Sequence, residues 1–124
     1  MNRQDMLNHI DVKAGAVRAS YITDVPGQQI TYMLKAEQAQ KFASKGFAGA
    51  PPSLIAGEAA ASGVSARQAA QAILREEELW TQLAAGIEQI RRAGKIAVQS
   101  APSELAAQQA FEQTIDLLVT LFRK

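Results

Sequence analysis

The sequence predicts a mainly α-helical protein, a helical bundle with one long helix over about residues 65–100. Three observations support this fold class. Apolar residues recur at three- and four-residue spacings along most of the chain. Alanine supplies 24 of the 124 residues and aromatic residues only 6%, a composition typical of an alanine-rich helical domain. Proline and glycine fall between the periodic segments, where turns are expected.

The first predicted element is a helix over about residues 3–20. Its apolar stripe comprises Met6, Ile10, Ala14, Val17 and Tyr21. Pro26 and Gly27 then form a turn, because proline fixes φ and glycine accepts the positive φ of a type II turn. In an alternative interpretation, residues 21–23 pair with residues 29–32 across this turn and form one short β-hairpin.

The middle of the chain predicts two shorter helices separated by a loop. One runs from about residue 30 to residue 42, with Ile30, Met33 or Leu34 and then Phe42 facing a core. Gly46 is expected to cap its C-terminus. A loop over residues 47–52 precedes a helix that a proline opens and that continues through residue 61.

The long helix carries the strongest periodic pattern in the chain. Ser65 and Gln68 fit a capping box at its start. The predicted packing seam along it comprises Trp80, Leu83, Ile87 and Ile90. Pro102 interrupts the pattern, and a last helix follows over about residues 103–124.

The seam has two interpretations, the interior of a monomeric bundle or a contact between subunits. A helix of 35 residues is roughly 50 Å long, which a compact chain of this size accommodates poorly. We therefore expect a homo-oligomer. The chain is predicted to be a single domain over residues 1–124: a helix and turn to about residue 46, the loop at 47–52 and a long-helix bundle over 53–124.

Charge and chemistry exclude several function classes. The 13 basic and 12 acidic residues nearly balance, so nucleic-acid binding is not expected, and without cysteine there are no disulfides or thiolate metal sites. We interpret His9 as an exposed helix residue and Glu76, Glu77 and Glu78 as an acidic face. We interpret the loose basic group of Arg75, Arg91, Arg92 and Lys95 as surface charge. No catalytic residue, cofactor or metal site is predicted, and we expect no enzyme, no secretion signal and no membrane span.

Two segments carry a resemblance to a known family. Residues 18–39 read RASYITDVPGQQITYMLKAEQA, and residues 86–95 read GIEQIRRAGK. Over about residues 11–101 the chain resembles small proteins and C-terminal segments encoded in the tail-fibre modules of tailed phages and prophages. Residues 102–124 match nothing in that pattern.

The resemblance implies a phage context rather than a reaction. It suggests a non-enzymatic tail-associated protein, either a tail-fibre assembly chaperone or a minor virion component, with a phage tail or tail-fibre protein as partner. Such a protein would reside in the host bacterial cytoplasm during assembly, or in the virion. The alternative is a small regulatory or host-takeover module that binds a host protein or nucleic acid.

Overall fold

Five α-helices make up most of the structure, a computed structural model that describes residues 1–20 and 28–122. They are α1 (Arg3–Ser20), α2 (Gln28–Ser44), α3 (Ser53–Ser62), α4 (Ala66–Ser100) and α5 (Glu104–Phe122). This part of the chain contains no β-strand. The mainly α fold is confirmed, and so is the long helix, because α4 spans 35 residues.

The hairpin alternative concerns the segment before α2. Residues 29–32, its expected second strand, belong to α2, so this half of the alternative is wrong. Pro26, Gly27 and the expected first strand at residues 21–23 lie outside the described residues.

Side chains close to the starts of α1 and α4 satisfy backbone N–H groups that have no partner within the helix. Asn2 Oδ1 accepts a hydrogen bond from the N–H of Asp5 at 2.8 Å, ahead of α1. At α4, Ser65 Oγ accepts from the N–H of Gln68 at 3.1 Å, while Gln68 Oε1 accepts from the N–H of Ser65 at 3.1 Å. This reciprocal pair is the predicted capping box, which is confirmed.

The end of α2 confirms the predicted glycine cap. Gly46 has a φ of 64°, in the left-handed region that glycine adopts without strain. Its N–H donates to the carbonyl of Ala43 at 2.9 Å, and the N–H of Phe47 donates to the carbonyl of Phe42 at 2.9 Å. These bonds define a Schellman motif. The rings of Phe42 and Phe47 meet edge to face across it, with centroids 5.6 Å apart.

The chain forms two compact units. Unit 2 is Asp24–Thr81 and contains α2, α3 and the first part of α4. Its buried cluster consists of Ala39, Phe42, Ile55, Ala59, Ala69 and Ala70. Gln38 of α2 also joins α3, because its Oε1 accepts a hydrogen bond from the N–H of Leu54 at 2.8 Å. That bond caps α3, whose N-cap residue Pro52 makes no side-chain cap bond.

Unit 1 is assembled from Met1–Thr23 and Gln82–Lys124, so α1, the second part of α4 and α5 build it. One buried cluster comprises Met6, Leu7, Ile10, Val98, Ala107 and Phe111. A second comprises Ala14, Val17, Ile87 and Leu118. The expectation of a single domain over residues 1–124 stays a prediction.

Polar contacts and a close helix approach complete unit 1. Arg3 Nη1 donates to the carbonyls of Val98 and Gln99 at 3.0 and 3.1 Å, which places a cation at the C-terminal end of α4. Along the same helix, Gly94 faces Thr114 of α5 so closely that a Cβ at Gly94 would lie 2.8 Å from the Cβ of Thr114. Glycine at this position therefore sets how near α4 and α5 can lie.

Candidate functional site

Of the four residues of the predicted packing seam, Ile87 is fully buried, and Trp80, Leu83 and Ile90 are partly buried. Ile87 is 1% exposed and belongs to the cluster with Ala14, Val17 and Leu118, and Leu83 and Ile90 pack against the same cluster. These contacts are the ones expected of the interior of a bundle. Since a single chain already covers Ile87, a second subunit is not needed to bury it.

Trp80 stands apart from the other three seam residues. It is half-buried and lies in unit 2, whereas Leu83, Ile87 and Ile90 lie in unit 1. The regularly spaced apolar residues of α4 therefore belong first to unit 2 and then to unit 1. Different neighbouring helices cover successive lengths of the helix, which is how a chain of this size supports a helix of 35 residues.

An ion network joins α1 to α4 in unit 1. The Asp11 carboxylate accepts hydrogen bonds from Arg91 Nη1 at 2.9 Å and from Lys95 Nζ at 2.8 Å. Arg91 also donates to Glu88 through Nε at 3.0 Å and Nη2 at 2.8 Å. Two residues of the basic group seen in the sequence are therefore paired with carboxylates. Their pairing weighs against phosphate as their partner.

The network shifts the pKa values of Asp11, Glu88 and Arg91 in the direction expected for paired charges. The Lys95 hydrogen bond lowers the pKa of Asp11 below its ordinary value of 3.8, and the Arg91 hydrogen bond lowers it further against the opposing effect of burial. The hydrogen bond from Arg91 lowers the pKa of Glu88. The pKa of Arg91 is raised, chiefly by Glu88 and then by Asp11. The charged forms are thus favoured in the folded protein.

The other titratable groups singled out in the sequence do not converge on one point. His9 is exposed, as predicted, and its ring meets Phe111 edge-on at 5.7 Å. Glu77 accepts hydrogen bonds from Gln40 Nε2 at 2.8 and 3.0 Å, while Glu76 and Glu78 are exposed. Within residues 1–20 and 28–122, no group of three or more His, Cys, Asp or Glu side chains is placed to hold a metal ion.

The first half of α2 presents large apolar side chains to solvent. Ile30 is 65% exposed, Met33 72% and Leu34 46%. They occupy positions i, i+3 and i+4, which lie on one side of a helix. We call these three residues the α2 apolar face, and it is the candidate interaction site of the chain.

The α2 apolar face corrects a sequence expectation. Phe42 lies in the core as predicted, but Ile30, Met33 and Leu34 do not. At about 100° per residue, Ile30 is turned roughly 180° from Ala39, which is the fully buried residue of α2. Because a single helix side cannot hold both sets, Ala39 and Phe42 take the core. The sequence already indicates that α2 has two apolar sides, one with Ile30 and Met33 and the other with Ala39 and Phe42.

The charged residues that follow Leu34 on α2 are paired within unit 2. Lys35 Nζ lies 3.1 Å from Glu58 Oε2, and Lys41 Nζ lies 3.3 Å from Glu37 Oε1. The Lys35 hydrogen bond lowers the pKa of Glu58, which favours the ionised carboxylate. Residues 25–34 contain no charged side chain. The α2 apolar face thus lies in an uncharged segment, and the charged residues that follow it on α2 are paired.

Comparison with known proteins returns no relative from which a role could be transferred: no protein-family model, curated protein or solved structure matches the chain. None of the described helices combines the length and the apolar character that a membrane span requires. The assignment of function therefore depends on the geometry described above and on the sequence resemblance.

Proposed function

We propose that the chain is a non-enzymatic protein of a tailed-phage or prophage tail module that acts through protein–protein contacts. It serves as a tail-fibre assembly chaperone or as a minor virion component. The observation that carries the proposal is the α2 apolar face, where Ile30, Met33 and Leu34 are exposed on one side of a helix. Contiguous apolar side chains on a surface are typical of interaction sites.

The position of this face in the chain supports the phage context. Ile30, Met33 and Leu34 all lie within residues 18–39, the longer of the two segments that resemble tail-module proteins. An amphipathic helix that binds a partner commonly uses anchors at i, i+3 and i+4. The segment that carries the resemblance thus also carries the surface best suited to a partner.

Mass spectrometry of purified phage particles separates the two roles. Particles are prepared from the phage or induced prophage that encodes the chain, and the crude lysate is analysed beside them. We expect an assembly chaperone in the lysate and not in the particles, and a virion component in both. A chain that is produced in the lysate but leaves particle number and fibre content unchanged when its gene is deleted would contradict both roles.

The contact itself is tested by co-expression with the tail-fibre protein of the same module. Replacing Ile30 and Met33 together by serine removes the apolar character of the α2 face, and we expect co-purification to be lost. The matched controls are Val12→Ser and Leu105→Ser, which remove equally exposed apolar side chains, each 70% exposed, from α1 and α5. Loss of binding in the controls, or its retention in the double variant, would argue against the α2 face. Circular dichroism confirms that each variant is helical.

Self-association is a separate part of the proposal. The sequence predicts a homo-oligomer, and light scattering over a dilution series measures the mass directly. We expect a mass above that of the 13.3 kDa chain. A monomer at every concentration would remove the homo-oligomer while leaving the contact with a tail protein to be judged by co-purification.

A further inference from the structure

Methionine occurs at three positions with very different exposure. Met6 is 1% exposed in the core of unit 1, whereas Met33 is 72% exposed on the α2 apolar face, and Met1 is 63% exposed. Met33 lies on α2 between Ile30 and Leu34, in the uncharged segment described above. Its thioether sulfur is therefore open to a small reactant from solvent.

We propose that Met33 is a modification site for hydroperoxides and that its oxidation converts the α2 apolar face into a polar one. The sulfur lone pair attacks the distal oxygen of a hydroperoxide, so that an S–O bond forms and the O–O bond breaks. The sulfur loses two electrons and the peroxide is reduced, to water in the case of hydrogen peroxide, with the distal proton passing to the leaving oxygen. The product is methionine sulfoxide, which reductases can reverse.

The geometry explains why the change would be confined to the surface. The added oxygen at Met33 points away from the core face of α2, which Ala39 and Phe42 occupy, so unit 2 can keep its packing. The face would lose its most exposed apolar side chain, because the sulfoxide is polar and stays hydrated. Regulation of partner binding by this step rests on the proposed function, whereas the reactivity of Met33 does not.

Peroxide titration of the folded protein tests the reactivity. Trypsin cleavage after Arg3, Lys13, Arg18 and Lys35 puts Met6 and Met33 in separate peptides, so mass spectrometry follows both in one sample. We expect Met33 to oxidise at least about tenfold faster than Met6, because oxidation follows exposure and Met6 must wait for local opening. In concentrated guanidinium the two rates should converge. If Met33 oxidised as slowly as Met6 in the folded protein, the proposal would be overturned.

Retention on a hydrophobic-interaction column tests the consequence for the surface. Peroxide-treated protein is expected to elute earlier than untreated protein, and M33Q to elute early without peroxide. M33L is the matched control, since it keeps an apolar side chain and lacks the sulfur, so peroxide should change its retention much less than that of the wild type, with only the exposed Met1 left to oxidise. A peroxide-dependent shift in M33L equal to that of the wild type would place the effect elsewhere and overturn the proposal.

These results are independent of the tail-fibre experiments. If the chain binds no tail protein while Met33 oxidises selectively and the surface becomes polar, the proposed function fails and the modification site stands. If co-purification depends on Ile30 and Met33 but Met33 resists peroxide, the proposed function stands and the modification site fails.

Discussion

The two units of the chain use similar helices differently. Unit 1 buries the apolar side of α1 along the whole helix, from Met6 to Val17, and adds the Asp11 ion network above that core. In unit 2, the buried side chains of α2 are Ala39 and Phe42 in its second half, while the first half exposes Ile30 and Met33. Unit 1 also exposes apolar side chains such as Val12 and Leu105, but on different helices, whereas unit 2 groups Ile30, Met33 and Leu34 on one side of α2.

This difference shows that an apolar stripe alone does not distinguish a core from a binding surface. Ile87 in unit 1 and Ile30 in unit 2 are the same residue type, and each lies among regularly spaced apolar residues of its helix. Ile87 is nevertheless 1% exposed and Ile30 65%. What separates them is the neighbouring helix. The stripe on α4 meets α1 and α5, whereas α3 and α4 meet α2 on the side of Phe42.

Truncating a buried and an exposed isoleucine should have the most different effects on stability. Ile87→Ala should lower the free energy of unfolding by about 2–5 kcal/mol, because it leaves a cavity in the core of unit 1. Ile30→Ala should change it by less than about 0.5 kcal/mol, since the side chain is mostly hydrated already. Chemical denaturation of both variants gives the two values. A cost for Ile30→Ala similar to that of Ile87→Ala would mean that the α2 apolar face supports the fold.

Alanine substitutions at one glycine of each unit should change stability in opposite directions. Gly94→Ala should destabilise the protein by about 1–3 kcal/mol, because the new methyl group overlaps Thr114 and α4 and α5 must separate. Gly57→Ala is the matched control in unit 2. A Cβ there meets nothing within 4 Å, so we expect a gain of about 0.4–1 kcal/mol from the lower entropy of the unfolded chain. Thermal unfolding measures both, and a stabilised Gly94→Ala would refute the close approach.

The cap that α2 supplies to α3 tests how unit 2 is held together. Gln38→Ala should cost about 1 kcal/mol, since it leaves the N–H of Leu54 without its acceptor. Hydrogen exchange at the Leu54 amide should become faster in this variant. Gln40→Ala is the control, because that side chain bonds Glu77 rather than α3. Equal exchange at Leu54 in the two variants would show that the cap does not form.

The smallest effect concerns the ion network of unit 1 and depends on pH. Because folding lowers the pKa of Asp11, its contribution is present above the ordinary value of 3.8 and is lost as pH falls through the lowered value. Asp11→Asn should therefore cost less than about 1 kcal/mol at pH 7, since the carboxylate is partly exposed. Its difference from the wild type should shrink in acid and in high salt. A difference that grows towards low pH would contradict the sign of the shift.

Local features of the fold could be predicted from the sequence because their partners lie within a few residues. The capping box joins Ser65 to Gln68, and the glycine cap of α2 involves Ala43 and Gly46. The long helix follows from a regular spacing alone. Each of these needs no knowledge of which helices become neighbours.

Features that depend on distant partners could not be predicted in this way. Asp11 meets Arg91 and Lys95, which are 80 and 84 residues away along the chain. The candidate site is a similar case, because the exposure of Ile30 depends on which side of α2 its neighbours cover. From the sequence, the same residues were assigned to a core. Helix periodicity identifies the apolar sides, and only the packing decides which of them remains open.

The order of segments in the chain has a consequence for synthesis. Unit 2 is continuous, whereas unit 1 combines Met1–Thr23 with Gln82–Lys124. On a ribosome, α1 is made before the α4 and α5 residues that cover its apolar side, and roughly one hundred residues must be added after it, which takes about 5–20 s at ordinary elongation rates. A nascent chain that ends at Thr81 holds all of unit 2 but lacks the α4 and α5 residues that cover Ile10 and Val17. The apolar side of α1 is therefore buried only after α4 and α5 have been made.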